Sequence, residues 1–227
     1  MNMLLRTVLL QRSYLKDSIE RTLALSCLFS MAILVVRIGY TGRWAFSFLS
    51  WNLFLAFVPY VLTKWLVQHP LWIARRWTFT AVFVVWLLFV PNAFYIITDL
   101  FHLHLSADVP LWFDLALLLS FAWNGLLFGI LSVRQMERIV TVKWSLRYDW
   151  LFIYPVMALN AFGVYVGRYL RFNSWDVVTN PFGLAEDVLY LLMHPVLYRF
   201  DWSMIFCYAV LMALIYSALK SISKMVW

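Results

Sequence analysis

Residues 77–105 read WTFTAVFVVWLLFVPNAFYIITDLFHLHL, an apolar run that closes with Asn92, Asp99, His102 and His104 and holds no Lys or Arg. Its apolar part has the roughly 20 residues that a helix needs to cross hydrocarbon. A charge or amide at the edge of hydrocarbon costs several kcal/mol unless it is paired or hydrated, so the polar closing segment marks candidate functional residues. Pro91 removes one backbone hydrogen bond and bends the helix, freeing a carbonyl that Asn92 or a neighbouring helix can satisfy. If helix resumes after it, Asn92, Tyr95, Asp99 and His102 share one stripe that points into a bundle. A capped and kinked helix end explains the same residues equally well.

The rest of the chain has the same character. Of 227 residues 64% are hydrophobic and 13% charged, against about 25% charged in soluble domains. Six blocks of near-spanning length follow one another: 22–37, 44–63, 77–98, 110–133, 150–167 and 202–219. The expected fold is all-α, a polytopic membrane helix bundle of about six transmembrane helices. Trp44, Trp51, Trp77, Trp112, Trp150 and Trp202 stand near block ends, as interfacial aromatics do. Residues 1–20 read as a cytoplasmic segment, with Leu4, Leu5, Val8 and Leu9 near helical spacing among basic residues, which fits either a helix lying on the membrane surface or a solvated, frayed tail. Residues 21–227 then form a single transmembrane domain.

The net charge of +7 forms no basic patch interleaved with aromatics, so nucleic acid is excluded as the expected partner and membrane lipid preferred. With the N-terminus inside, thirteen of the 18 Lys and Arg fall in inner segments, and Arg37, Arg43, Arg168, Arg171 and Arg199 fall in outer ones. The positive-inside rule therefore predicts both termini in the cytoplasm and the Asp99 segment outside. Cys27 and Cys207 lie inside predicted spans, without metal-ligand spacing. No GxSxG, HExxH, Walker loop, GxGxxG or paired CxxC occurs, and no cofactor is assigned.

Two connections on the same side carry complementary charge. One holds Asp99, His102, His104 and Asp108, with Asp114 a turn further on; the other holds Arg168, Arg171, Asn173 and Asp176. Asp114 is expected to pair with Arg168, and Asp99 with Arg171. Arg168 and Arg171, three apart on one helix face, offer planar donors to a phosphate or carboxylate, or else neutralise these aspartates. Asp99 and His102 are the candidate acid/base groups; Asn92, Tyr95, Arg168, Arg171, Asn173 and Asp176 the candidate substrate-binding groups; Asp114 and Asn124 the structural or charge-balancing ones. Asp99, His102 and His104 also have the donor types of a metal site, but His102 and His104 diverge by about 200° on a helix and can share an ion only on extended chain. Asn180 followed by Pro181 reads as an N-cap and first helical residue, opening a short interfacial helix over 181–198. Gly163 and Gly167 form a GxxxG, a close-packing face that is also the candidate contact for a homo-oligomer.

The segments PNAFYIITDLFHL, PLWFDLALLLSFAWNGLLFG and GRYLRFNSWDVVTNP, within a motif core over 86–187, resemble the bacterial integral-membrane family catalogued as domain of unknown function 1361. That family carries PNAPYxxTDLxHL, so Phe94 stands here where it has Pro. The resemblance implies a multi-pass protein of the bacterial inner membrane and brings no activity with it. The residues support three functions: an outward-facing polar pocket that binds or processes an anionic amphiphile or lipid-linked substrate, a small-solute transporter or channel, and a structural or assembly protein without catalysis.

Overall fold

The computed structural model describes the backbone of residues 3–103 and 108–225 and the side chains of 18–103 and 108–223; His104 lies outside these. Nine α-helices are described: α1 (Met3–Thr41), α2 (Phe48–Gln68), α3 (Pro70–Ala74), α4 (Arg76–Tyr95), α5 (Leu111–Trp144), α6 (Trp150–Arg168), α7 (Asp176–Thr179), α8 (Pro181–Met193) and α9 (Arg199–Met225). Six stretches are long and apolar enough to cross a membrane: Ser18–Thr41, Phe48–Gln68, Arg76–His102, Leu111–Trp144, Trp150–Arg168 and Arg199–Ser223. The protein is an all-α, multi-pass membrane protein. No strand occurs among the described residues.

The spans fall where the apolar blocks predict them, but several helices run further. The expected fourth block stops at 133, whereas α5 has 34 residues, about 50 Å at 1.5 Å per residue against hydrocarbon about 30 Å thick. Arg134, Glu137 and Arg138 end an apolar block without ending a helix, because all three side chains suit helical backbone. Helix α5 stops only at Ser145, whose φ of 50° is left-handed. Likewise α1 is continuous from Met3 into the first span.

Helix α4 passes through Pro91 and, after Tyr95, tightens into a 3₁₀ segment over Ile96–His102. Beside Pro91 the Asn92 amide donates to Phe89 O at 3.0 Å and the Ser174 hydroxyl to Leu88 O at 2.9 Å. Two glycines let α4 sit close to its neighbours. A Cβ at Gly163 of α6 would stand 2.6 Å from Pro91 Cγ, and one at Gly125 of α5 would overlap the Ile96 side chain. Gly167 in turn faces the Tyr95 ring. The close approach permitted by the Gly163/Gly167 face is thus taken up by α4 of the same chain.

One core lies among α4, α5, α6 and α9, around Trp86, Val90, Phe152, Met157 and Tyr216; a second joins α1, α2, the 3₁₀ segment and α5 around Leu34, Leu49, Ile96 and Phe121. The bundle has two polar ends. At the aspartate end, Asp99, Asp108 and Asp114 meet Arg168, Arg43 and Arg37. At the glutamate end lie Glu137, Lys220 and Asp149.

Candidate functional site

At the aspartate end the 3₁₀ turn brings Asp99 and His102 against the last residue of α6. Asp99, 1% exposed, accepts a bond from Asn52 Nδ2 at 2.8 Å on one oxygen and faces Arg168 Nη1 at 3.7 Å on the other. Arg168 stretches further, with Nη1 3.4 Å from the Tyr95 hydroxyl and Nη2 3.4 Å from His102 Nδ1. That same Nδ1 lies 3.1 Å from the Asp99 carbonyl oxygen. One nitrogen cannot donate to the carbonyl and accept from the guanidinium at once, so the tautomer of His102 selects one bond or the other. The guanidinium also stands 5.9 Å from the Tyr95 ring centroid and 5.5 Å from that of Phe101.

Arg168 is therefore shared among several long contacts rather than locked into one short pair. A guanidinium held this way keeps donors for another acceptor.

Beside this cluster, α2, α4 and α6 leave a cleft of about 510 Å³ roofed by the chain from Phe172 to Val188, within the size range of small-molecule sites. Towards the end of the bundle it is lined by Asn52, Asn92, Tyr95, Asn173 and Ser174 together with Val166 and the apolar roof residues Leu184 and Val188; further along the helices, by Leu55, Leu87, Leu159 and Phe162. The Asn92 amide donates to Ser174 Oγ at 2.8 Å, which ties the Pro91 turn of α4 to the roof. Helix α8 starts as the Asn-Pro pair predicts: Asn180 Oδ1 accepts from Gly183 N at 3.3 Å. It ends at Met193 rather than near 198. Leu184 and Val188 face the cleft and Leu191 is buried, while Phe182 and Met193 are exposed.

Several expectations need correction. Asp114 does not pair with Arg168: its carboxylate receives Arg37 Nε at 2.7 Å and Nη2 at 3.2 Å, with both side chains sealed from solvent and the Phe46 ring 4.2 Å from the guanidinium carbon. Asp99 takes Arg168, not Arg171. Arg168 and Arg171 share no helix face, because α6 ends at Arg168 and Arg171 has a φ of 61°. Arg171 is exposed and has no ion-pair partner among the described residues. The cleft wall is more apolar than polar, and Asp99, His102 and Arg168 lie behind it rather than in it.

Asn92, Tyr95 and Asn173 do line the cleft. Asp176 instead closes a turn: it accepts from Asn173 N at 2.6 Å and from the Thr179 hydroxyl at 2.8 Å. The Asn173 backbone bond, then that from Thr179, holds its carboxyl below the usual range. Asn124 bonds Ser30 Oγ of α1 at 2.9 Å, a link between helices. Among the described residues no three His, Cys, Asp or Glu gather as a metal would need.

Sequence reading missed Asn52 as the partner of Asp99, Ser174 as the link to α4, and Arg37. An Arg at the tip of an apolar block resembles any snorkelling cation, so nothing in its local sequence marks it as buried.

Residues 51–215 match the family described as protein of unknown function, DUF1361. The chain belongs to the DUF1361 family. The DUF1361 match takes in the cleft, the Asp99–Arg168 cluster and Asp114, and leaves α1 with Arg37 outside. No curated protein matches the chain, and no solved structure does.

Proposed function

We propose that the protein binds an anionic amphiphile drawn from the membrane, with its hydrocarbon among Leu87, Leu159 and Phe162 and its head group at Asn92, Asn173 and Ser174. The make-up of the cleft carries this reading: its amides and hydroxyls gather towards the end of the bundle, and Leu87, Leu159 and Phe162 lie further along the helices without polar neighbours in the lining. It follows the gradient that an amphiphile itself presents across a leaflet. Arg168 supplies positive charge just behind the wall, and Arg171, on the segment that leads into the roof, is open to solvent. Asn52 and Tyr95 line the cleft and touch the buried cluster, Asn52 at Asp99 and Tyr95 at Arg168. They are the groups through which Asp99 and His102 act on a bound head group, by positioning or by proton transfer. The aspartate end faces away from the cytoplasm by the positive-inside rule.

The test uses a long-chain alkyl phosphate with a photoreactive group near the chain terminus, mixed into nanodiscs holding the full chain. Labelling is expected on Leu87, Leu159 and Phe162, reduced about tenfold by Ala185→Trp, which fills the cleft from its roof. Labelling spread evenly over the lipid-facing helices, or unchanged in Ala185→Trp, overturns the reading and leaves the buried cluster a purely structural role.

A further inference from the structure

The glutamate end holds a second constellation that the cleft does not involve. Glu137, buried on α5, is met by Arg134 Nη1 at 2.8 Å, by the Tyr216 hydroxyl and by Lys220. Lys220 reaches on to Asp149 at 2.7 Å, where α6 begins. Over this network opens a shallow pocket of about 360 Å³, whose lining includes Arg147, Tyr148, Trp150, Tyr154, Ser217 and Lys220.

The charges decide what the pocket suits. Both carboxylates are already engaged, Glu137 by Arg134 and Lys220, and Asp149 by Lys220. Arg147 has no carboxylate partner among the described residues; its guanidinium leans on the Tyr148 ring, 5.3 Å from the centroid. The surplus is thus a positive, planar donor set next to the exposed Ser217 hydroxyl, which fits a singly charged phosphodiester. Trp150 and Tyr154, both about half exposed on the first turns of α6, form a rim of the kind that sits at the level of lipid head groups.

We infer that this pocket binds the phosphodiester of an anionic phospholipid in the leaflet at the glutamate end, with Arg147 as the principal donor and Ser217 and Lys220 beside it. A soluble phosphate shares that chemistry, and the exposed aromatic rim at the start of a spanning helix favours the lipid source.

Native mass spectrometry of the full chain, released from nanodiscs of equal phosphatidylglycerol and phosphatidylcholine, tests the inference. The protein is expected to retain phosphatidylglycerol selectively, and Arg147→Gln to lower that retention about tenfold with thermal unfolding unchanged. Ser217→Ala is expected to lower it less. Arg76→Gln removes an exposed cation at the same end but outside the pocket, and should retain lipid as the parent does. Equal loss in Arg147→Gln and Arg76→Gln reduces the effect to diffuse surface charge and overturns the site. So does undiminished retention in Arg147→Gln, and displacement of the lipid by millimolar inorganic phosphate overturns the lipid source.

Discussion

Two carboxylate–guanidinium pairs at the same end of the bundle are built differently. Asp114 and Arg37 meet through two short bonds, capped by Phe46, with essentially no solvent contact. Asp99 and Arg168 stand 3.7 Å apart, and Arg168 keeps 18% of its side-chain surface open while it also touches Tyr95 and His102. The first pair is bidentate, closed off from solvent, and joins α1 to α5. The second is under-used, adjoins a cleft and leaves donors unspent. Sequence alone separates the two aspartates by role but pairs both with arginines near the end of α6; local geometry gives each its own partner and its own exposure.

The largest effect should come from the sealed pair. Asp114→Ala strands a buried guanidinium, and a loss of about 3–5 kcal/mol is expected, read by denaturant or thermal unfolding in detergent. The double variant Arg37→Met with Asp114→Leu should recover most of it. If Asp114→Ala is no more harmful than Asp99→Asn, the contrast between the pairs fails.

Next comes the spacing that sets the looser pair. Gly163→Val places its Cβ against Pro91, and overpacking of about 1–3 kcal/mol is expected. The same change pushes α6 from α4 and should weaken amphiphile labelling. Gly39→Ala, where a Cβ meets nothing within 4 Å, serves as the control.

Asp99→Asn leaves Arg168 partly hydrated, so a stability loss of about 1 kcal/mol or less is expected, with cleft labelling lowered about tenfold. A double-mutant cycle should give a clearly larger coupling for Arg37 with Asp114 than for Arg168 with Asp99. Comparable couplings would merge the two into one structural network.

The smallest effect is local. The carboxyl of Asp176 is held below the usual range by Asn173 and Thr179, so its support of the turn is complete above the unfolded carboxylate pKa. That support disappears as pH falls through the depressed value. Amide exchange over 173–180 should therefore quicken only in acid, below the ordinary carboxylate range. Exchange already fast at neutral pH would mean that Asp176 does not hold the turn.

Much of the site could be read from spacing. Offsets of 3, 7 and 10 from Asn92 placed Tyr95, Asp99 and His102 together, and the structure keeps these three near Arg168 although the helix tightens to 3₁₀ there. The Asn180 cap was readable because capping is a local rule. Partner choice was not. Whether Asp114 met Arg37 or Arg168 depends on which helices adjoin α5, and α1 and α6 both carry an Arg at the right depth. Gly163 and Gly125 announced close approach, but not that α4 would be the helix that approached.

Local chemistry in the chain dictated six apolar spans, a capped roof helix and a concentration of acid and imidazole at one helix tip, because hydropathy and capping act within a few residues. Only the packing of the helices decided that Arg37 pairs with Asp114, that Arg168 makes only long contacts, and that a largely apolar cleft with a few amides and hydroxyls lies beside it. Those outcomes rest on contacts between residues tens of positions apart, whose pairing depends on shape and distance in three dimensions.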